Sequence, residues 1–246
     1  MADQGSHMVD RRRFLMWLGG GLLLAGAAAL GCGPGPQATT FPLTPGTPLS
    51  RVTPTGWRWE IRWIRRPPPV DPQAWRLLID GLVETSRVLT LDRIKELPAT
   101  TLRLRMKCVE CWSAPADWTG VLGRDLLDLV KPRPEAGYVT LHAIDEYTTN
   151  LSLEELRADR VLFVYGMDGV ELPAQHGYPL RLIAPSKYGY KSIKGITRLE
   201  FVTSRDPGYW EQRGYDNVGT IQPGLDHPLD LGRKAREIQG GEITEY

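Results

Sequence analysis

Residues 101–113 read TLRLRMKCVECWS, and the alternation of apolar and charged side chains up to position 107 predicts a half-buried strand. The apolar face would carry Leu102, Leu104 and Met106, and the opposite face Arg103, Arg105 and Lys107. The strand places Cys108 at its end. Because Arg105 and Lys107 are close to Cys108 in sequence, we expect their positive charge to favour the thiolate.

Cys108 and Cys111 form a Cys-x-x-Cys pair that is compatible with several kinds of chemistry. A structural zinc site would need two further ligands, and the four histidines show no paired spacing. A thioredoxin-like dithiol usually opens a helix, whereas Pro115 and Asp117 interrupt any helix here. A dithiol oxidoreductase, a buried pair and a disulfide formed after export all remain open alternatives.

Residues 11–15 read RRRFL and precede an uncharged run at 16–30, a pattern typical of a twin-arginine export signal. The apolar run is short for a membrane span, which needs about 20 residues. Residues 29–32, ALGC, resemble a lipoprotein cleavage box that would leave Cys32 lipidated, with ordinary cleavage nearby as the alternative. We therefore predict a signal peptide at 1–32 and a periplasmic or otherwise extracytoplasmic protein.

The remaining chain has the size and charge of one globular domain. The stretch 33–56 is rich in Pro, Gly and Thr and predicts a flexible linker. Of the 246 residues this leaves about 190, enough for a sizeable core, and we place the domain at 57–235 with a C-terminal tail at 236–246. A formal charge of +1 without a basic stripe excludes nucleic acid as a partner.

Short strands and short helices alternate along the domain and predict an α+β, β-rich fold. Thr90 is expected to cap a helix, and the sequence SLEE at 152–155 predicts a capping box. Strands are predicted at 75–80, 101–107, 138–143, 161–165, 170–172, 180–184 and 196–203, and helices at 91–97, 123–130 and from 153.

Three motifs carry a resemblance to a known family. They are CVECWS at 108–113 with WTG at 118–120, HGYPLR at 176–181, and YGYKSIK at 188–194. In this order, the chain from 57 to about 226 resembles the molybdopterin-binding domain of the sulfite oxidase superfamily. Within that superfamily it is most similar to small exported bacterial members such as the methionine-sulfoxide reductase catalytic subunits.

The resemblance implies a single molybdopterin-binding domain with molybdenum-molybdopterin as cofactor, and it assigns Cys108 as the molybdenum ligand and a catalytic residue. One protein thiolate suffices for a soft metal that two pterin sulfurs already hold. Arg62 and Tyr188 are expected at the catalytic site. The residues expected to bind the cofactor are Cys108, His176, Arg181, Ser192, Ile193 and Lys194.

The chain departs from sulfite oxidases around this site. Trp63 and Ile64 replace a polar pair after Arg62, and the stretch 109–113 lacks the extra arginines that sulfite enzymes carry. We expect Tyr188, Tyr190 and Trp112 to line an aromatic pocket, and Glu110 to give it an acidic lip that disfavours a dianion such as sulfite.

These observations predict an exported molybdopterin-dependent oxidoreductase that catalyses two-electron oxygen-atom transfer, reducing an S-oxide or N-oxide of a small-molecule substrate. Electrons would come from a separate partner, a membrane cytochrome or a cytochrome c, and the twin-arginine translocase would export a monomer. The alternatives are a sulfite oxidase-like dehydrogenase and a catalytically inactive, lipid-tethered binding module of the same fold.

Overall fold

The computed structural model describes Trp59 and residues 61–246. The predicted export signal, the lipidation box at Cys32 and the linker lie outside the described residues. No helix in the described part of the chain is long and apolar enough to cross a membrane.

One of the two sheets of the described chain has five strands, in the order β2-β1-β10-β5-β6. Its strands are β1 (Leu77–Gly81), β2 (Arg87–Leu89), β5 (Tyr138–Ala143), β6 (Thr148–Ser152) and β10 (Ile196–Val202). Strands β1 and β10 are parallel, and the other pairs are antiparallel. The buried faces of this sheet build the larger hydrophobic core of the domain.

The other sheet has seven strands and carries the Cys108 motif. Its path is β12-β11-β4-β7-β8, with β3 paired to β4 and β9 paired to β7. Its strands are β3 (Ala99–Lys107), β4 (Trp112–Leu122), β7 (Leu162–Met167), β8 (Val170–Glu171), β9 (Arg181–Ile183), β11 (Gly224–Pro228) and β12 (Arg236–Ile238). This strand order explains how the candidate site is assembled, because β3, β4 and β9 bring two of the three motifs into one sheet.

The predicted helices and their caps are confirmed. Helix α1 (Leu91–Lys95) begins after Thr90, whose hydroxyl accepts a hydrogen bond from the Arg93 N–H. Helix α2 spans Gly123–Val130, and α3 (Leu153–Arg157) opens with the expected capping box. The helices are short, and the domain is dominated by β structure as predicted.

Strand β4 is the main element that the sequence analysis missed. Pro115 and Asp117, which the sequence analysis interpreted only as interrupting a helix, lie inside it. Pro115 is tolerated because the stretch around it pairs only with β3, while β11 pairs at the start of β4 and β7 at its end. A proline in a stretch that pairs with a neighbouring strand on one side only removes few backbone hydrogen bonds from the sheet.

The charged face predicted for β3 is wrong for two of its three basic residues. Arg105 and Lys107 are buried, and only Arg103 is exposed. Arg105 forms a bidentate pair with Asp230, with both N···O distances 2.7 Å, and Lys107 lies 3.2 Å from Asp226. These acidic partners lie more than a hundred residues further along the chain, so local alternation could not reveal them.

The expected C-terminal tail is part of the domain. Strand β12 pairs with β11, and Ile238 and Ile243 are buried in a small hydrophobic cluster with Ile221. The Tyr246 hydroxyl donates a hydrogen bond to the Arg103 carbonyl. The domain boundary predicted at 235 is therefore too early, and the ordered chain continues to residue 246.

Candidate active site

A single cavity of about 320 Å³ gathers most of the residues that the sequence singled out. It lies between the turn after β3, the segment before β9 and the loop before β10. The predicted site residues that line it are Arg62, Cys108, His176, Arg181, Ser192, Ile193 and Lys194.

Tyr188 is not among the lining residues, so its expected place in the catalytic pocket is wrong. Its ring packs on the small hydrophobic cluster of Ile221, Ile238 and Ile243. Its hydroxyl accepts a hydrogen bond from the Gln222 N–H. Tyr190, two residues later, lines the cavity instead, as Trp112 also does.

A tight turn between β3 and β4 presents the Cys108 sulfur to the cavity. The Cys108 N–H donates to the Trp112 carbonyl at 2.8 Å, and the Cys111 N–H donates to the Cys108 carbonyl at 3.2 Å. Cys111 has φ of 71°, the left-handed conformation that closes the turn. Cys108 is a free thiol, and the Cys-x-x-Cys pair lies in a turn between strands rather than at a helix start.

The thiolate expected at Cys108 is not favoured in the cofactor-free protein. Burial and, to a smaller extent, the negative charge of Glu110 raise the pKa of the Cys108 thiol to about 12. The backbone N–H of Glu110 and the charge of Lys107 oppose this rise only in part. The thiol is therefore protonated at neutral pH, and a metal that binds there would displace a proton.

Arg181 is a buried cation that forms no ion pair with a carboxylate of the described residues. Its guanidinium donates to the carbonyl oxygens of His176 at 2.9 Å and Ser192 at 3.2 Å, and it lies 5.0 Å from the centre of the Trp118 ring. Burial lowers its pKa to about 9, so it stays charged at neutral pH. A buried cation without an anion is costly for the empty protein and is suited to an anionic ligand.

Lys194 and His176 extend this positive region. Burial and then repulsion from Arg181 lower the pKa of Lys194 to about 7. The Lys194 ammonium donates to the Arg62 carbonyl and lies 4.5 Å from the centre of the Trp63 ring. Burial and then the charges of Arg181 and Lys194 lower the pKa of His176 to about 3, so its imidazole is neutral.

Ser192 and Ile193 contribute to the cavity in a different way. The Ser192 hydroxyl accepts a hydrogen bond from the Ala184 N–H at 3.1 Å, while its carbonyl accepts from Arg181. The Ile193 carbonyl accepts from the Leu182 N–H. The two residues therefore fix the loop against β9, and their hydrogen bonds within the protein hold the cavity wall in place.

Several buried polar atoms of the cavity wall have no hydrogen-bond partner within the described chain. They are Trp59 Nε1, Trp63 Nε1, Trp112 Nε1, His176 Nε2 and Arg181 Nε. Buried donors are normally satisfied, so such a concentration indicates a ligand rich in acceptor atoms. A pterin with a phosphate group fits this set of donors, and the Cys108 sulfur lies in the same cavity.

The segment that leads into β1 covers one side of the cavity. The Arg62 guanidinium lies 3.1 Å from the Glu110 carboxylate, and the Ile64 N–H donates to Asp145 at 3.0 Å. The prediction of a negatively charged lip is therefore wrong, because Arg62 neutralises the charge of Glu110. The predicted aromatic lining is confirmed for Tyr190 and Trp112.

Residues 209–215 form a cavity wall that the sequence analysis missed. We call Tyr190, Tyr209, Trp210 and Tyr215 the aromatic wall; their neighbouring ring centroids lie 5.1–5.2 Å apart. Tyr215 lines the same cavity as Cys108 and Glu110, and burial and then the charges of these two residues raise its pKa. The density of aromatic residues at 209–215 is the one feature of the sequence that could have indicated this wall.

A buried ion pair holds the aromatic wall in position. Lys191 and Glu211 are both fully buried, and their charged groups share the hydroxyl of Thr149. Glu211 begins the 3₁₀ helix Glu211–Arg213, so the pair ties this helix to β6 and to the YGYKSIK loop. Lys191 therefore supports the wall from outside the cavity, whereas Lys194 points into it.

With fold and site in place, comparison with known proteins assigns the chain to a family. Residues 63–210 match the family model of the oxidoreductase molybdopterin binding domain. The chain belongs to this family and is a molybdopterin-dependent oxidoreductase with a sulfite oxidase-type domain. The resemblance stated from the three motifs is confirmed.

Individual relatives agree with this assignment. The chain is 31% identical over 248 residues to the protein-methionine-sulfoxide reductase catalytic subunit MsrP of Gluconobacter oxydans, covering 87% of this chain and 80% of that protein. It is 36% identical over 150 residues to the uncharacterized oxidoreductase YuiH of Bacillus subtilis, covering 61% and 76%.

A solved structure shows the same fold. The sulfane dehydrogenase SoxCD of Paracoccus pantotrophus superposes with a TM-score of 0.57 at 20% identity. The match covers 74% of this chain and 49% of that one, so this chain corresponds to about half of the SoxCD chain.

Proposed function

We propose that this protein reduces the S-oxide of a thioether, such as methionine sulfoxide, to the thioether. One observation carries the proposal: the Cys108 sulfur opens into a cavity with unpartnered buried donors on one side and an aromatic wall on the other. The first side suits the cofactor, and the second suits the uncharged S-oxide group and the alkyl groups that flank it. The similarity to the protein-methionine-sulfoxide reductase catalytic subunit MsrP supports the same reaction class.

In the proposed site, Cys108 is the protein ligand of molybdenum. Arg181 and Lys194 bind the anionic part of the cofactor, and the His176 imidazole hydrogen-bonds to it through Nε2. Bound there, molybdenum-molybdopterin supplies two-electron oxygen-atom transfer. The protein contributes the cavity, the fixed donors of its wall and one thiolate.

On the substrate side, the aromatic wall excludes water and packs against the alkyl groups that flank the S-oxide. Reduction of an S-oxide consumes two electrons and two protons and releases water. The Tyr215 phenol is protonated at neutral pH and is suited to donate a hydrogen bond to the S-oxide oxygen. Trp210 packs beside it, with ring centroids 5.1 Å apart.

The two electrons come, in this proposal, from a separate membrane cytochrome or cytochrome c. The sequence at 11–30 supports export of the folded monomer by the twin-arginine translocase, and Cys32 is a candidate membrane tether. The protein would then act outside the cytoplasm.

The test is an assay of the cofactor-loaded protein with a reduced dye as electron donor and methionine sulfoxide, trimethylamine N-oxide or sulfite as substrates. Oxidation of the dye with the sulfoxide, absent in Cys108→Ser, is the expected result.

Sulfite-dependent reduction of an electron acceptor without sulfoxide turnover would instead identify a sulfite dehydrogenase. Bound cofactor without turnover of any substrate would support the binding module. Equal loss of activity in Cys111→Ala without bound molybdenum would support the dithiol enzyme.

A further inference from the structure

The aromatic wall carries a cation that no carboxylate of the described chain neutralises. Arg213 ends the 3₁₀ helix Glu211–Arg213 and is among the residues that line the cavity. Its guanidinium lies 3.6 Å from the centre of the Tyr209 ring and donates to the Tyr209 carbonyl at 2.7 Å. Stacking and hydrogen bonding thus hold the charge at the cavity mouth without an anionic partner.

The neighbouring acidic groups are occupied elsewhere. Glu211 is buried in its pair with Lys191. The Asp216 carboxylate accepts hydrogen bonds from the backbone N–H groups of Val218 and Gly219. Glu110, which faces the same cavity, is paired with Arg62. The net charge that the substrate-side wall presents is therefore positive and is located on Arg213.

We propose that Arg213 is a specificity-determining residue that binds a carboxylate next to the S-oxide of the substrate. This inference rests on the proposed function and adds a preference within it. The carboxylate has two chemical sources, an Asp or Glu side chain that flanks an oxidised methionine in a peptide, or the α-carboxylate of the free amino acid.

The exposure of Arg213 determines how large the preference for an acidic substrate can be. Arg213 is exposed, so its attraction for an anion is screened by water and by salt, and such contacts contribute up to about 1 kcal/mol. A difference of this size corresponds to a roughly fivefold preference in kcat/KM for the acidic substrate at low ionic strength. High salt should reduce the ratio of kcat/KM for the acidic substrate to kcat/KM for the neutral substrate towards one.

The experiment compares matched sulfoxides with the cofactor-loaded protein. One pair is a peptide with Asp beside methionine sulfoxide and the same peptide with Asn. The other pair is N-acetylmethionine sulfoxide and its amide. Preference for Asp over Asn assigns the side-chain source, and preference for the acid over the amide assigns the α-carboxylate.

We expect wild type to prefer the acidic member of at least one pair at low salt, Arg213→Gln to lose the preference, and Arg213→Lys to retain part of it. Arg87→Gln, an exposed arginine on β2 away from the cavity, is the matched control and should keep the wild-type ratio.

Equal kcat/KM within both pairs in wild type, or an unchanged ratio in Arg213→Gln, would overturn the inference while leaving sulfoxide reduction intact. Failure to reduce any sulfoxide, neutral or acidic, would contradict the proposed function and this inference together.

Discussion

The guanidinium of Arg181 lies 2.9 Å from the carbonyl oxygen of His176, so the first and last residues of the HGYPLR motif are joined directly. The same guanidinium donates to Ser192 in the YGYKSIK motif. One buried cation thus ties two motifs around the cavity, and its remaining Nε has no partner in the described chain.

Arg181→Met should remove the cofactor-binding charge without unfolding the protein. We expect bound molybdenum to fall about tenfold or more, measured by mass spectrometry of the metal, because a charge-assisted contact is lost. The free energy of unfolding of the cofactor-free protein should change by less than about 2 kcal/mol, since an unpaired buried cation is replaced by an apolar side chain.

Arg198→Met is the control for this variant. Arg198 is paired with Asp80 on the five-stranded sheet and does not line the cavity. It should keep its molybdenum, whereas full molybdenum content in Arg181→Met would refute the role of Arg181.

Gly177→Ala should disturb Lys194. Gly177 has φ of 109°, and a Cβ there would lie 2.8 Å from the Cβ of Lys194. Gly169 has φ of 79°, and a Cβ there would meet nothing within 4 Å. Both alanine variants should lose about 1 kcal/mol of stability from backbone strain. Only Gly177→Ala should also lose molybdenum, and equal metal content in the two variants would contradict the account.

Asp230 should govern part of the acid stability. Burial raises its pKa, but the hydrogen bonds and charge of Arg105 outweigh this and leave the pKa below its usual value. The ionised carboxylate therefore stabilises the fold above its unfolded-state pKa, and this stabilisation is lost as the pH falls through the lower folded-state pKa.

Denaturant unfolding of Asp230→Asn at several pH values tests this expectation. The variant should lose about 3 kcal/mol at neutral pH, because buried Arg105 loses its partner, and the difference from wild type should narrow in acid. Asp128→Asn, which breaks an exposed pair with Arg157, should cost less than about 1 kcal/mol. A difference for Asp230→Asn that does not depend on pH would contradict the argument.

Tyr215→Phe should lower kcat for sulfoxide reduction by about tenfold or more with unchanged molybdenum content, because only the phenolic hydroxyl is lost. Tyr188→Phe removes a hydroxyl from outside the cavity and should keep kcat within about twofold of wild type. Steady-state kinetics of the two variants compare these positions directly, and a larger effect for Tyr188→Phe would reverse the assignment.

The sequence predicted those features that local pattern determines. Thr90 and Ser152 are caps because a hydroxyl before a helix satisfies its free N–H groups. The alternation before Cys108 predicted β3 correctly, and the three motifs contain 11 of the 24 residues that line the cavity.

What the sequence did not reveal depends on distant partners. The alternation along β3 indicated that Arg105 and Lys107 are exposed, because their acidic partners are distant in sequence. Asp226 lies in β11, and Asp230 lies in the helical turn after it. Tyr215 follows no periodic pattern, and it lines the cavity in a segment that the buried pair of Glu211 and Lys191 anchors.

Cys108 is the proposed single protein ligand of molybdenum. X-ray absorption at the molybdenum edge of cofactor-loaded wild type should show three sulfur neighbours, two from the pterin and one from the protein. In Cys108→Ser the count should fall to two, while Cys111→Ser should keep three. An unchanged sulfur count in Cys108→Ser would contradict the account.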